Sequence, residues 1–207
     1  MLIIGLTGPS GAGKTTVSRK LAKRGFFIAD GDCYARVSTS PGSPVLLKLA
    51  AAFGDDIILP SGALDRRLLG SRAFSSRSGT KTLNSITHPV ITELMFSDIK
   101  KAAADGFDTA VIDAAALIES GVSKRCDIVA VVSAPRELRL ERVIARDGLT
   151  PADALRRINA QKSEEYYERF ADIIIRNHPP HSLEDELLRL YDAVERKRHE
   201  SSKKREA

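Results

Sequence analysis

Five runs of consecutive apolar residues, rich in β-branched side chains, recur along the chain between segments with helical periodicity. A strand with one solvated face alternates apolar and polar residues, whereas an unbroken apolar run is typical of a strand covered on both faces. The pattern therefore predicts an α/β fold, a doubly wound, five-stranded parallel sheet with helices on both sides. The predicted strands are 2–7, 26–29, 109–113, 127–133 and 172–176.

Helical patterns fill most of the remaining chain, and the predicted helices flanking the sheet are 14–24, 135–146, 151–161 and 182–197. Pro135 and Pro151 fall where a proline is tolerated in the first turn of a helix. The stretch 34–107, between the second and third strands, contains helical and loop patterns without a strand, so we expect an inserted helical subdomain. Segments rich in glycine, proline and serine predict its breaks, at 40–44, 60–62 and 75–79.

The first strand runs directly into Gly8-Pro9-Ser10-Gly11-Ala12-Gly13-Lys14-Thr15, a full match to the phosphate-loop pattern G-x-x-x-x-G-K-[ST]. A helix follows, and the free N–H groups and positive dipole end of a helix N-terminus bind phosphate oxygens. A chance match of this kind is expected in about one chain in a hundred of this length. The predicted nucleotide-binding residues are Gly8, Ser10, Gly11, Ala12, Gly13, Lys14, Thr15 and Thr16.

Lys14 is predicted to bridge the β- and γ-phosphates and to act in catalysis, and the Thr15 hydroxyl to ligate Mg²⁺. The loop predicts a nucleoside triphosphate as ligand. By itself it leaves a kinase, a GTPase and a motor-type ATPase open.

Two aspartates follow the second predicted strand, in Asp30-Gly31-Asp32. In a doubly wound sheet this position lies at the crevice where ligands bind, so a carboxylate there could orient an acceptor hydroxyl or accept its proton. The alternative is that one of them caps the following helix, since aspartate is a favoured N-cap residue. We favour Asp32 over Asp30 for the catalytic role.

Arg142 and Arg146 lie four residues apart and therefore share one face of a predicted helix. Arginine can stack on adenine or donate a fork of hydrogen bonds to a phosphoryl oxygen, so both are catalytic candidates. We expect 139–170 to form a helical lid that closes over the nucleotide. The alternative is a solvated helix face with Glu–Arg pairing, for which Arg139, Glu141 and Asp147 are available.

The charge distribution argues against a nucleic-acid partner. The net charge is +5, and the end segment 195–207 holds six basic and three acidic residues. We expect the basic tail, 196–207, to be a fraying helix end or disordered. Aromatic residues make up 5% of the chain, too few for a base-stacking platform.

Cysteine use and hydropathy predict a cytoplasmic protein without a membrane span. Cys33 and Cys126 match no disulfide framework, metal or redox spacing, so we expect reduced thiols. Residues 1–6 are apolar but have no basic region before them and read as a strand rather than a signal.

With these motifs in place, the chain resembles the dephospho-coenzyme A (dephospho-CoA) kinase family from residue 2 to about residue 194. The matching blocks are Gly5-Leu6-Thr7-Gly8, Asp30-Gly31-Asp32 with Ala35-Arg36, Pro41-Gly42-Ser43-Pro44, Gly62-Ala63-Leu64-Asp65-Arg66-Arg67 with Phe74-Ser75, Ile86-Thr87-His88-Pro89, Arg146-Asp147-Gly148-Leu149 with Arg157-Ile158 and Ala160-Gln161, and Ala171-Asp172 to Asn177.

The resemblance implies a single P-loop kinase domain that transfers the γ-phosphoryl group of ATP to the 3′-hydroxyl of dephospho-CoA, with Mg²⁺, in the last step of coenzyme A biosynthesis. It implies that 34–107 binds this small-molecule acceptor. Asp32 would be the catalytic carboxylate, Arg66 and the region of His88 would hold the acceptor, and Asn177 would lie near adenine.

Other interpretations of these residues stay open. Arg66 could pair with Asp65, and the His88-Pro89 pair could form a corner at a helix start. Asp113 could contact Mg²⁺ through water or could simply end the third strand. The chain also departs from the family pattern Asp-x-Pro-Leu-Leu-Phe-Glu after the third strand, where it has Asp113-Ala114-Ala115-Ala116-Leu117-Ile118-Glu119. The rival functions are therefore a kinase for another small hydroxyl acceptor, such as a nucleoside, nucleotide or sugar, and a non-catalytic nucleotide-dependent protein associated with RNA.

Overall fold

The computed structural model describes residues 1–206, without the side chains of Ser201 and 204–206. The chain divides into two compact units. The sheet unit consists of Met1–Ala29 together with the chain from residue 102 onward, and the helical unit is Asp30–Lys101.

A five-stranded sheet in the order β2-β3-β1-β4-β5 organises the sheet unit, which confirms the predicted fold class. β1 pairs in parallel with β3 and β4, and β4 pairs in parallel with β5. The strands are β1 (Leu2–Thr7), β2 (Phe27–Asp30), β3 (Thr109–Asp113), β4 (Ile128–Ser133) and β5 (Ile173–Arg176).

Both faces of this sheet are covered, as the unbroken apolar runs predict, and helices α1 and α9 cover one of them. Ile4 and Leu6 on β1 are fully buried in a cluster that also contains residues of α1 and α9. On the other face, a Cβ added at Gly5 would lie 2.6 Å from the Leu117 side chain. The helices of the sheet unit are α1 (Lys14–Lys23), α6 (Arg136–Asp147), α7 (Pro151–Asn159), α8 (Glu164–Glu168) and α9 (Leu183–Glu206), with a 3₁₀ turn at Val122–Arg125.

Several helix ends differ from the prediction; α7, for example, ends at Asn159 rather than at residue 161. Pro135 occupies the N-cap position of α6 rather than its first turn, whereas Pro151 does begin α7. α9 continues to Glu206, so the predicted end at residue 197 is wrong, and Ala207 of the tail lies outside the described residues. Ion pairs one turn apart and a tie to β3 support this extension: Arg198 pairs with Glu195 and donates to the Thr109 hydroxyl.

The helical unit contains no strand in its described residues beyond an isolated bridge between Ile58 and Leu64. Its own apolar cluster includes Leu49, Ile57 and Leu69. The predicted breaks at 40–44 and 60–62 separate its helices, whereas the break predicted at 75–79 is shorter, because the next helix already begins at Arg77. The helices of this unit are α2 (Gly31–Ser38), α3 (Pro44–Phe53), α4 (Arg66–Ala73) and α5 (Arg77–Ala104), with a 3₁₀ turn at Asp55–Ile57.

The His88-Pro89 pair lies inside α5, so its interpretation as a helix-start corner is wrong. Pro89 removes one N–H from the helical ladder. The helix continues because Ile86 before the proline and Val90 after it pack against the same apolar cluster. Among residues 1–206, none of the helices combines the length and apolar character that a membrane crossing requires.

Candidate active site

The phosphate loop lies between the end of β1 and the start of α1. Its turns need glycine, because Gly8, Gly11 and Gly13 have φ values of 144°, 82° and 99°. There is also no room for side chains, since a Cβ at Gly8 would lie 2.3 Å from the Val132 carbonyl oxygen. No side chain caps the N-terminus of α1, so its first amides are available to an anion.

Two distant side chains hold the loop from its carbonyl side. Arg142 donates to the carbonyl oxygens of Gly11 and Ala12, at 3.2 and 3.3 Å, and to that of Asn177 at 2.9 Å. The Asn177 side-chain amide donates to the same Ala12 oxygen, also at 2.9 Å. These donors occupy carbonyl groups of the loop. Both residues therefore belong to the loop's support, and their predicted contacts with the nucleotide stay predictions.

Two further residues, one at the end of α6 and one just after α7, contact the loop at Ser10. The Ser10 amide donates to the Gln161 side-chain oxygen at 2.9 Å. Arg146 lies 3.4 Å from the Ser10 hydroxyl, and its guanidinium also binds Asp147 with two hydrogen bonds of 2.8 Å. The Arg146 hydrogen bond lowers the pKa of the Asp147 carboxyl. Gln161 falls in a block that resembles the family, but no sequence signal assigned it a role.

Lys14 is held at the carboxyl end of β3. Its ammonium lies 3.2 Å from a carboxylate oxygen of Asp113, and the two side chains are 21% and 15% exposed. Asp113 was predicted either to contact magnesium through water or simply to end a strand. The structure does end β3 at this residue, and it makes Asp113 the partner of Lys14.

The donors beside the loop suit a magnesium ion that is shared with phosphates. Thr15 is exposed in the first turn of α1, and the Asp113 carboxylate is an oxygen donor of the kind Mg²⁺ prefers. Within the described residues, no cluster of three or more His, Cys, Asp or Glu could hold a metal by itself. Mg²⁺ typically uses one or two protein groups with substrate phosphates and water, so this small donor set fits.

In the helical unit, the two aspartates after β2 have different environments. Asp30 is the N-cap of α2, and one carboxylate oxygen accepts from the amides of Asp32 and Cys33, at 2.9 and 3.2 Å. The capping interpretation is therefore confirmed for Asp30. Asp32 is exposed in the first turn of the same helix.

Tyr34, two residues after Asp32 on α2, is anchored to α5. Its hydroxyl donates to an Asp98 carboxylate oxygen at 3.0 Å, and Lys101 binds the other oxygen. Burial, and then this hydrogen bond, raise the pKa of Tyr34. The tie fixes α2, and with it the first turn that carries Asp32, against α5.

The two predicted acceptor-binding residues lie on different helices of the helical unit. Arg66 begins α4 and donates to the Thr39 hydroxyl at 2.8 Å, while Asp65 caps α4 by accepting from the Leu68 amide at 2.9 Å. The Arg66–Asp65 pair, which was the alternative interpretation, is absent from the described contacts. His88 is half-buried within α5.

Comparison with known proteins identifies the family. The dephospho-CoA kinase (CoaE) family model matches residues 2–182. A dephospho-CoA kinase of Corynebacterium glutamicum is 43% identical over 185 residues, covering 89% of this chain and 92% of the relative. The crystal structure of TT1252 from Thermus thermophilus superposes with a TM-score of 0.78 at 30% identity, covering 94% of this chain and 97% of the other.

A dephospho-CoA kinase from Campylobacter jejuni has the same fold, with a TM-score of 0.67 at 23% identity and coverage of 93% and 96%. The family match spans the phosphate loop, Asp32, Arg66, Arg142, Gln161 and Asn177. The chain therefore belongs to the dephospho-CoA kinase family.

Proposed function

We propose that the protein transfers the γ-phosphoryl group of ATP to the 3′-hydroxyl of dephospho-CoA, giving coenzyme A and ADP. The observation that carries this proposal is the uncapped phosphate loop with Lys14 at its helical end, in a chain of this kinase family. The small-molecule acceptor is inferred from the family.

Phosphoryl transfer depends mainly on positioning and on stabilisation of charge. In this proposal the amides of Gly11 and of 13–15 hold the β- and γ-phosphates, since those of Ala12 and Thr16 donate to backbone carbonyls, and Lys14 leaves Asp113 to follow the charge of the transferred group. The Thr15 hydroxyl would hold Mg²⁺, with Asp113 as a further oxygen donor through water. When bound, the ion neutralises charge on the phosphate oxygens.

The remaining roles concern the acceptor and the lid. Asp32 orients the 3′-hydroxyl and accepts its proton, an assignment supported by its exposure in the first turn of α2. Arg66 donates to an acceptor oxygen, and His88 contacts the acceptor from α5. Arg146, at the end of α6 and beside Ser10, reaches the phosphoryl group as the lid region and the loop come together around ATP.

An acceptor-dependent ADP-release assay tests the proposal. With ATP, Mg²⁺ and dephospho-CoA we expect ADP release, and mass spectrometry should show one added phosphate in the acceptor. Dephospho-CoA without its 3′-hydroxyl should give only background release. A panel of nucleosides, nucleotides and sugars tests the rival acceptors, since the 113–119 segment departs from the family pattern. Folded protein that binds ATP but releases no ADP with dephospho-CoA would contradict the proposal.

A further inference from the structure

The helical unit contains a small cavity beside Arg66, and the proposed mechanism assigns no part of the acceptor to it. Its volume is about 200 Å³. Pockets that enclose whole drug-sized ligands have volumes of about 300–1,000 Å³, so this one suits one end of a larger molecule. Its apolar lining is Leu49, Leu64, Leu69, Phe74, Leu83 and Ile91.

The polar groups of the cavity wall are already engaged. The Thr39 hydroxyl donates to the Ala35 carbonyl oxygen and accepts from Arg66. The Thr87 hydroxyl donates to the Leu83 carbonyl oxygen within α5. A purine in this space would leave several ring and amino nitrogens without partners, which is costly when they are buried. An apolar group that ends in a thiol has no such requirement, because a thiol is only a weak donor.

Arg66 differs from the rest of the wall. Among the residues that the structure describes, Thr39 is the hydrogen-bond partner of its guanidinium, so most of its five N–H groups remain available. It can therefore donate to an oxygen of a molecule whose apolar end is inserted between the leucines. Phe74, at the end of α4, is 67% exposed, which is unusual for a large aromatic side chain on a cavity wall.

We propose that this cavity receives the thiol end of the pantetheine arm of the acceptor. Arg66 donates to an amide carbonyl of the arm where it leaves the cavity, and the Phe74 ring packs against the sulfur. This inference rests on the proposed function, because it assumes dephospho-CoA as the acceptor. It makes Phe74 and the leucine lining determinants of specificity for acceptors that carry the arm.

Gly70 provides a way to fill the cavity without disturbing the helix. A Cβ added there would lie 3.8 Å from the Phe74 ring, an ordinary contact distance, and Gly70 has no positive φ. Leucine is also a better helix former than glycine, so the unit should fold. Ser71, the next residue on α4, is exposed and outside the lining, so Ser71→Leu is the matched control.

The test compares acceptor constants for the wild type, Gly70→Leu and Ser71→Leu. We expect Gly70→Leu to raise the KM for dephospho-CoA about 10- to 200-fold, the usual effect of losing one small group from a pocket, with the KM for ATP unchanged. Calorimetric binding of dephospho-CoA should weaken by the same factor, and Ser71→Leu should behave as the wild type. Equal acceptor KM values in the two variants would overturn the inference.

A modified acceptor tests the position of the thiol end in the wild-type enzyme, so this test does not depend on whether the variants fold. Dephospho-CoA carrying an S-benzyl group is too large for the cavity, so its KM should rise at least as much, and Phe74→Ala should reduce the penalty. An unchanged KM for the S-benzyl acceptor would place the thiol end elsewhere. If the wild-type protein neither binds nor phosphorylates dephospho-CoA, the proposed function itself is wrong.

Discussion

The ammonium of Lys14 and the carboxylate of Asp113 form an ion pair of 3.2 Å between the first turn of α1 and the end of β3. The pair neutralises the phosphate-loop lysine while no phosphate is present. In the proposed mechanism, ATP therefore replaces Asp113 as the partner of Lys14. The released carboxylate would then be available to a magnesium ion.

Replacing Lys14 by methionine keeps the apolar stem and removes the charge. We expect kcat to fall by about 10²- to 10³-fold, the usual loss when one group that stabilises transition-state charge is removed. Steady-state kinetics with ATP and dephospho-CoA measure this. Lys20→Met is the matched control, because Lys20 lies on the same helix but pairs with Glu184. Similar losses in both variants would mean that helix charge, rather than phosphate contact, matters.

Asp32→Asn tests the proposed base. The amide keeps the size of the side chain but cannot accept the proton, so we expect kcat to fall by about 10²- to 10⁴-fold. ATP binding, measured by calorimetry, should stay the same. Asp30→Asn is the control, because asparagine also caps helices and should preserve both α2 and turnover. Unchanged turnover in Asp32→Asn would remove Asp32 from the mechanism.

The contact between Gln161 and Ser10 predicts a moderate effect on ATP. Gln161→Leu leaves the Ser10 amide without its partner and loosens the end of α7 from the loop. We expect kcat/KM for ATP to fall about 2- to 10-fold, which corresponds to a net hydrogen bond of about 0.5–1.5 kcal/mol. Lys162→Ala, at the next position, should have little effect. A lower KM for ATP in Gln161→Leu would show instead that Gln161 competes with the phosphates.

The two cysteines should differ in reactivity. Burial, followed by the Asp127 charge, raises the pKa of Cys126 to about 12, whereas Cys33 is exposed. A raised pKa lowers the thiolate fraction at neutral pH, and the thiolate is the nucleophile. Iodoacetamide followed by mass spectrometry should therefore label Cys33 first, and Cys126 only after denaturation. Equal labelling of both thiols in the folded protein would contradict the burial of Cys126.

The helix and strand pattern was predictable for the sheet unit because both faces of its strands are covered. The predicted and observed strands differ by no more than one residue at either end. The errors occurred where tertiary contacts override local signals. α5 passes through Pro89 because Ile86 and Val90 share one apolar cluster. α9 extends through a charged segment because Arg198 is tied to β3.

The candidate site was also predictable from the sequence only in part. The glycine spacing and the Lys14-Thr15 pair predict the phosphate loop. These residues lie together in the sequence, and the backbone conformation of the loop requires its glycines. The capping by Asp30 was an open alternative, because a cap and a catalytic carboxylate call for the same residue type. Only the carboxylate geometry separates the two aspartates.

The sequence by itself determined the phosphate loop, the strand order along the chain and the family. Only the tertiary structure decided which side chains support the loop. Arg142, Gln161 and Asn177 are 130, 151 and 165 positions away from the loop residues that they contact. The physical reason is that a loop's backbone conformation depends on neighbouring residues, whereas its side-chain partners depend on how β1, β4, β5 and α6 pack together.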